Sequence, residues 1–192
     1  MRHQGNSDNK QGKVNPTRLL LVDDHALVRA GLRALIEMVD GFEVVGEVGD
    51  GPDALVAIES LQPDVVLLDI TMPGMNGFEV LKEITARFSD IRVIMLTMHE
   101  PREYAIHALH SGAAGFIPKS AAAAELKDAI QTVMSGRTYF ATQTGPAAET
   151  LNVDDRDARL LQRLTPETAR DTGAYGRRPN HQTDRAQFEH QR

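Results

Sequence analysis

Cysteine is absent from the 192-residue chain. That excludes disulfides and thiol chemistry, and it fits a reducing cytoplasm. No run approaches the ~20 consecutive apolar residues that a membrane-spanning helix needs. The first sixteen residues, MRHQGNSDNKQGKVNP, have no apolar core of the kind a secretory signal carries. No internal repeat is visible. A net charge of -6 supplies no general attraction to nucleic acid, although a local basic patch could still act. What remains is an ordinary globular composition, 41% hydrophobic and 25% charged.

The composition changes twice along the chain. Residues 1–16 are polar and read as a disordered leader. Residues 17–138 alternate short apolar runs with amphipathic stretches and read as one domain. Residues 139–167 read as a linker, part of it helical, and 168–192 as a disordered tail.

Within the domain, five apolar runs have strand length: Arg18–Val22, Phe42–Val48, Val65–Leu68, Arg92–Leu96 and Gly115–Ile117. Unbroken runs of this size suit strands buried on both faces. The intervening stretches carry helical spacing. Leu27, Val28, Leu32, Leu35 and Ile36 form one stripe, Leu55, Ile58 and Leu61 a second. Phe78, Leu81 and Ile84 form a third, and Leu126, Ile130, Val133 and Met134 another. Pro101–Ser111 carries a weaker apolar face. Gly51-Pro52 and Pro63 punctuate the second helix. The alternation predicts an α/β fold with a five-stranded parallel sheet, doubly wound with helices on both faces. In such sheets the site lies at the carboxyl ends of the strands.

That rule selects five residues. Asp23 and Asp24 follow the first strand run and Asp69 follows the third. Thr97 ends the fourth, and Lys119 lies just beyond the fifth. Crowded carboxylates call for a cation, and an all-oxygen ligand set of high charge suits Mg²⁺. A carboxylate can also be a nucleophile toward phosphorus, with a lysine charge and a threonine hydroxyl to receive the phosphate oxygens. Each residue has a plainer reading. Asp24 could cap the first helix, and Asp69 before Thr71-Met72-Pro73-Gly74 could serve a turn. A lone Thr or Lys says nothing. Their joint placement at separate strand ends argues for a site.

The segments LLLVDDHALVRAGLRALI, PDVVLLDITMPGMNGFEVL, VIMLTMHE and GAAGFIPKS together resemble the response-regulator receiver family, in its NarL/FixJ branch. The resemblance implies a flavodoxin-like, CheY-like receiver. It makes Asp69 the phospho-acceptor, Asp24 a direct Mg²⁺ ligand and Asp23 a water-mediated one, with the Thr71 backbone carbonyl completing the metal shell. Thr97 and Lys119 would bind the phosphoryl group, and Phe116 would be the aromatic switch. Without the family, Phe116 is simply a core residue. The implied partners are a sensor histidine kinase, a second copy in a homodimer and promoter DNA in a full-length form, with no membrane. A haloacid-dehalogenase-like phosphatase also uses an aspartate after a strand, but it wants a second Asp where this chain has Thr71. A metal site at His99, His107 and His110 lacks further ligands, so these read as surface histidines. The methionines Met72, Met75, Met95 and Met98 read as packing and loop residues.

Members of this branch carry a LuxR-type helix-turn-helix domain after a linker. Here Leu160, Leu161 and Leu164 fit a linker helix, and Leu164-Thr165-Pro166 matches the opening of that domain. Beyond Glu167 the match stops, and residues 168–192 contain no Leu, Ile, Val or Met. Such a segment cannot build a helix-turn-helix. The five Arg there against two Asp and one Glu support loose contact with acids at most. Back-translated from the second base of the Glu167 codon, the degenerate codons allow RQREILALMADGLTTKQIARSLNIS, which resembles the missing module. A one-base frameshift is therefore expected; the alternative is a stand-alone receiver with a natural tail, acting through protein contacts.

Overall fold

A computed structural model of the chain describes residues 15–98, 102–142 and 145–147. The elements are β1 (Thr17–Val22), α1 (Ala26–Glu37), β2 (Phe42–Val48), α2 (Gly51–Leu61), β3 (Val65–Asp69), α3 (Gly77–Arg87), β4 (Arg92–Thr97), α4 (Arg102–His110), β5 (Gly115–Pro118), α5 (Ala122–Met134), β6 (Tyr139–Thr142) and β7 (Gly145–Ala147). The strands form one sheet in the order β2-β1-β3-β4-β5-β6-β7. The first five are parallel to their neighbours, β6 adds in parallel to β5, and β7 turns back antiparallel.

The five expected strands are therefore present, and two more lengthen the sheet. Tyr139 and Phe140 pair with Gly115 and Phe116, so a stretch read as linker covers the outer edge of β5. The tie to α5 is explicit: the Tyr139 hydroxyl donates to Glu125 Oε2 at 3.1 Å. Burial, then that carboxylate, push the Tyr139 pKa up to about 12. The tail 168–192, most of the leader and the rest of the linker lie outside the described residues.

Period-two alternation sorts each strand's side chains between two cores. Leu20, Val22, Val66, Leu68, Val93, Met95 and Phe116 face one way, where Ala54, Ile58, Leu81, Ile84 and Ala105 of α2, α3 and α4 cover them. Leu19, Leu21, Val65, Leu67, Ile94, Leu96 and Ile117 face the other way, under Leu32, Ile36, Leu126, Ile130 and Val133 of α1 and α5. Burying each Val, Leu, Ile, Met or Phe among them stabilises by about 1.5–3 kcal/mol relative to exposure. Two members of the predicted stripes stay out: Leu27 is 86% and Met134 43% exposed.

Capping follows local chemistry. Asp50 caps α2 by accepting from the Asp53 N–H, with Pro52 in the first turn. Asn76 and Glu79 form a reciprocal capping box on α3. Helix α1 starts at His25 with no side-chain cap, so Asp24 is not spent on capping.

Candidate functional site

The strand order reverses between β1 and β3, and such a crossover opens a crevice at the carboxyl ends. Asp23 leaves β1 there and Asp69 ends β3. The Asp23 N–H donates to the Val48 carbonyl at 3.2 Å, which fixes the loop against β2. Asp69 accepts from the Thr71 N–H at 3.3 Å. Its expected turn bond is thus present, but it occupies only one oxygen. The turn then folds sharply back, with the Gly77 N–H donating to the Ile70 carbonyl at 2.9 Å. A β-carbon on Gly77 would lie 2.1 Å from the Asp69 carbonyl oxygen, so only glycine fits.

All five residues chosen from the strand ends come to this edge. Among the described residues, Asp23, Asp69 and Thr97 are the polar or charged ones that are buried. Lys119 Nζ reaches in to 2.7 Å from Asp23 Oδ2 and 2.8 Å from Asp69 Oδ2. These are ion-pair contacts, and neither oxygen has a hydrogen-bond partner of ordinary geometry. The Lys119 N–H donates to the Thr97 carbonyl at 2.7 Å, tying the ends of β4 and β5 together. Burial raises the Asp69 pKa above the ordinary carboxylate value, against the pull of Lys119.

Ligand atoms of Asp23, Asp24, His25 and Asp69 lie within 4.8 Å of one another. A pocket this acidic, with buried oxygens short of hydrogen bonds, could hold a metal ion. Thr71 adjoins it through its bond to Asp69. Phe116 is buried and stacks in parallel on Phe140, with centroids 6.4 Å apart.

Two residues near the cluster escape the strand-end rule. The His25 N–H donates to Asp23 Oδ1 at 2.8 Å, and its ring nitrogen lies 2.7 Å from Asp24 Oδ1. An Arg29 guanidinium N–H donates to the Asp23 carbonyl. Both lie inside the segment that carries the resemblance, yet residue type alone gives neither a role. Of the three histidines, His107 departs from the surface reading. It is half-buried, with its ring 4.2 Å from that of Phe78. His99 lies outside the described residues.

The model of the response regulator receiver domain matches residues 19–131. The chain belongs to the response regulator receiver family. The receiver is 43% identical over 124 residues to the response regulator UvrY of Escherichia coli (strain K12), which covers 65% of this chain and 57% of that protein. It is 39% identical over 126 residues to the response regulator GacA of Pseudomonas viridiflava, covering 66% and 59%. The chain thus spans a little over half the length of the curated relatives it matches. Among solved structures, a LuxR-family two-component response regulator from Aurantimonas sp. SI85-9A1 matches with TM-score 0.64 at 36% identity, covering 68% of this chain and 92% of that one. A LuxR-family DNA-binding response regulator from Staphylococcus aureus matches with TM-score 0.58 at 34% identity, covering 61% and 98%.

Proposed function

We propose that this receiver is phosphorylated on Asp69 by a sensor histidine kinase or a small acyl phosphate, with Mg²⁺ in the acidic pocket. The supporting observation is the Asp69 carboxylate itself. It is buried at the end of β3, touched by Lys119, and shares a pocket with Asp23 and Asp24. Asp24, Asp69 and the Thr71 carbonyl would hold the metal directly and Asp23 through water. Bound Mg²⁺ supplies positive charge that offsets the crowded carboxylates and the incoming phosphate oxygens.

An Asp69 carboxylate oxygen attacks phosphorus, forming an acyl phosphate. The bond from phosphorus to the donor breaks, and its electron pair leaves with the donor. Lys119 exchanges its contact with Asp69 for a phosphate oxygen, and the Thr97 hydroxyl donates to another. Phe116, in register with Met95 two residues before Thr97 on β4, relays that movement to the α4–β5–α5 face. The protein is a signalling switch that assists its own phosphorylation and dephosphorylation. Its place is the cytoplasm, and among the described residues no helix is long and apolar enough to cross a membrane.

In a full-length form phosphorylation would govern homodimerisation and promoter binding. Residues 168–192 contain no Leu, Ile, Val or Met from which a LuxR-type module could be built. The decisive experiment is labelling with acetyl phosphate and Mg²⁺, followed by mass spectrometry. Wild type gains one phosphoryl group, and Asp69→Asn gains none. Labelling of that variant would place the acceptor elsewhere. A gel shift separates the readings of the output: specific, phosphate-stimulated promoter binding by this chain would show that the DNA module is not lost.

A further inference from the structure

The geometry points to Arg29 as a positioning residue that holds the metal-ligating loop through the Asp23 carbonyl. This inference rests on the reading of Asp23, Asp24 and Asp69 as a Mg²⁺ site.

Arg29 lies on the first turn of α1, and its side chain is only 19% exposed. A cation so enclosed ordinarily finds a carboxylate fork, because leaving it unpaired is costly. Arg29 does not have one. Glu47 Oε2 on β2 lies 3.7 Å from its Nε, and that nitrogen has no hydrogen-bond partner. The other Glu47 oxygen is taken by Arg33, which also bonds Glu37 Oε1 at 3.0 Å. The guanidinium instead donates to the backbone carbonyl of Asp23.

That carbonyl belongs to the peptide joining Asp23 to Asp24, so its plane sets the directions in which both carboxylates leave the backbone. Helix α1 begins without a side-chain cap of its own, and on the carboxylate side the junction is held by the His25 N–H, which donates to Asp23 Oδ1 at 2.8 Å. The Asp23 N–H is fixed to β2, and Arg29, leaning on Glu47 of the same strand, fixes the carbonyl on the other side. The loop is thereby clamped at both ends of one residue before any ion arrives.

A mere charge and a positioning residue predict opposite signs. Arg29 carries positive charge close to the cluster. Coulomb repulsion alone means that removing it should tighten binding of a cation. Positioning means that removing it should weaken binding, because the ligands must then be ordered by the ion. The test is calorimetric titration of Mg²⁺ into the unphosphorylated full chain, with thermal unfolding recorded in the absence of Mg²⁺. Arg29→Met is expected to raise the Mg²⁺ dissociation constant about tenfold, the effect of losing one charge-assisted hydrogen bond. Arg29→Lys keeps the charge but not the planar guanidinium that reaches the Asp23 carbonyl, and should weaken binding in the same direction. Arg33→Met, which loosens Glu47 without touching the carbonyl, should leave the affinity unchanged.

Unchanged or tighter binding by a folded Arg29→Met overturns the inference. If that variant does not fold, Arg29→Lys decides by the same criterion. An equal loss in Arg33→Met also overturns it, because the effect would then belong to Glu47. A lower unfolding temperature with wild-type Mg²⁺ affinity reduces Arg29 to a structural role and is equally fatal. Wild type that binds no Mg²⁺ overturns the metal site itself, whereas failure of the variants alone leaves that site standing.

Discussion

Lys119 Nζ sits 2.8 Å from Asp69 Oδ2, an ammonium and a carboxylate both shut away from water. The same nitrogen is 2.7 Å from Asp23 Oδ2. One cation therefore balances two buried acids that would otherwise repel each other. Those acids come from β1 and β3, while Lys119 follows β5, so the contact joins three strands at their carboxyl ends.

Removing that cation should be felt by the fold. Breaking a buried ion pair from one side typically costs about 3–5 kcal/mol, because the remaining charge loses its partner. Lys119→Met is expected to lower the unfolding temperature in metal-free buffer. Mg²⁺ should then raise it by more than it raises wild type, since the ion would supply the missing charge. Thermal denaturation with and without Mg²⁺ reads both effects. An unfolding midpoint equal to wild type without metal would show that the pair contributes nothing to stability.

Gly77 makes a second prediction. A β-carbon there would stand 2.1 Å from the Asp69 carbonyl oxygen and 2.9 Å from Ile70 Cα. Both neighbours are backbone, so relief requires moving the end of β3. Overpacking typically costs about 1–3 kcal/mol, and here no side chain can give way to lessen it. Gly77→Ala should lose stability and phosphoryl labelling together. Gly31→Ala, where an added β-carbon meets nothing within 4 Å, is the matched control and should lose neither. A stable, fully labelled Gly77→Ala would show that the turn after Asp69 is compliant.

The acidic cluster is legible in the sequence because a parallel sheet converts chain order into position. Every apolar run ends at the same edge, so the polar residue after each run must arrive there. Arg29 is not legible in this way. Its partner is a backbone carbonyl, and backbone groups have no letter in the sequence. Strand β6 is hidden for another reason: four residues give too few positions to show a period, and Tyr139-Phe140 earns its place only by pairing with β5. Leu27 shows the opposite limit. It completes the helical spacing of α1, yet it stands at the helix start beyond the reach of the sheet. His107 carries no signal of its tilted ring contact with Phe78, since that contact depends on how α3 and α4 meet.

His107 gives a pH prediction. Burial lowers its pKa below the ordinary histidine value, and the neighbouring His110 lowers it further. The folded state therefore binds a proton less readily than the unfolded chain. The stability is fully present above about pH 6.5, the ordinary histidine value, and falls away as the pH drops through the lowered folded value. His107→Gln should flatten this part of the profile. The measurement is the denaturation midpoint of both proteins from neutral to mildly acid pH. Parallel curves for the two would exclude His107 as the source of the slope.

The last prediction concerns the coding DNA across codons 160–192 and beyond. Leu164-Thr165-Pro166 opens like a LuxR-type module, and the residues after Glu167 then contain no Leu, Ile, Val or Met. A shift of one base would account for both facts at once. Codons for the polar residues, read from their second base, permit RQREILALMADGLTTKQIARSLNIS, which restores apolar residues at helical spacing. Several positions in that reading allow four residues, so agreement there is cheap. Others allow only two, such as Ile/Thr, Lys/Arg and Asn/Ser, and they agree as well. Sequencing should show this reading continuing open past codon 192 with further amphipathic helices. An early stop in the shifted frame, or codon choices that break the apolar spacing, would leave a stand-alone receiver with its own tail. Where the shifted frame stays open, restoring it by one base should yield a longer protein whose promoter binding responds to phosphorylation of Asp69.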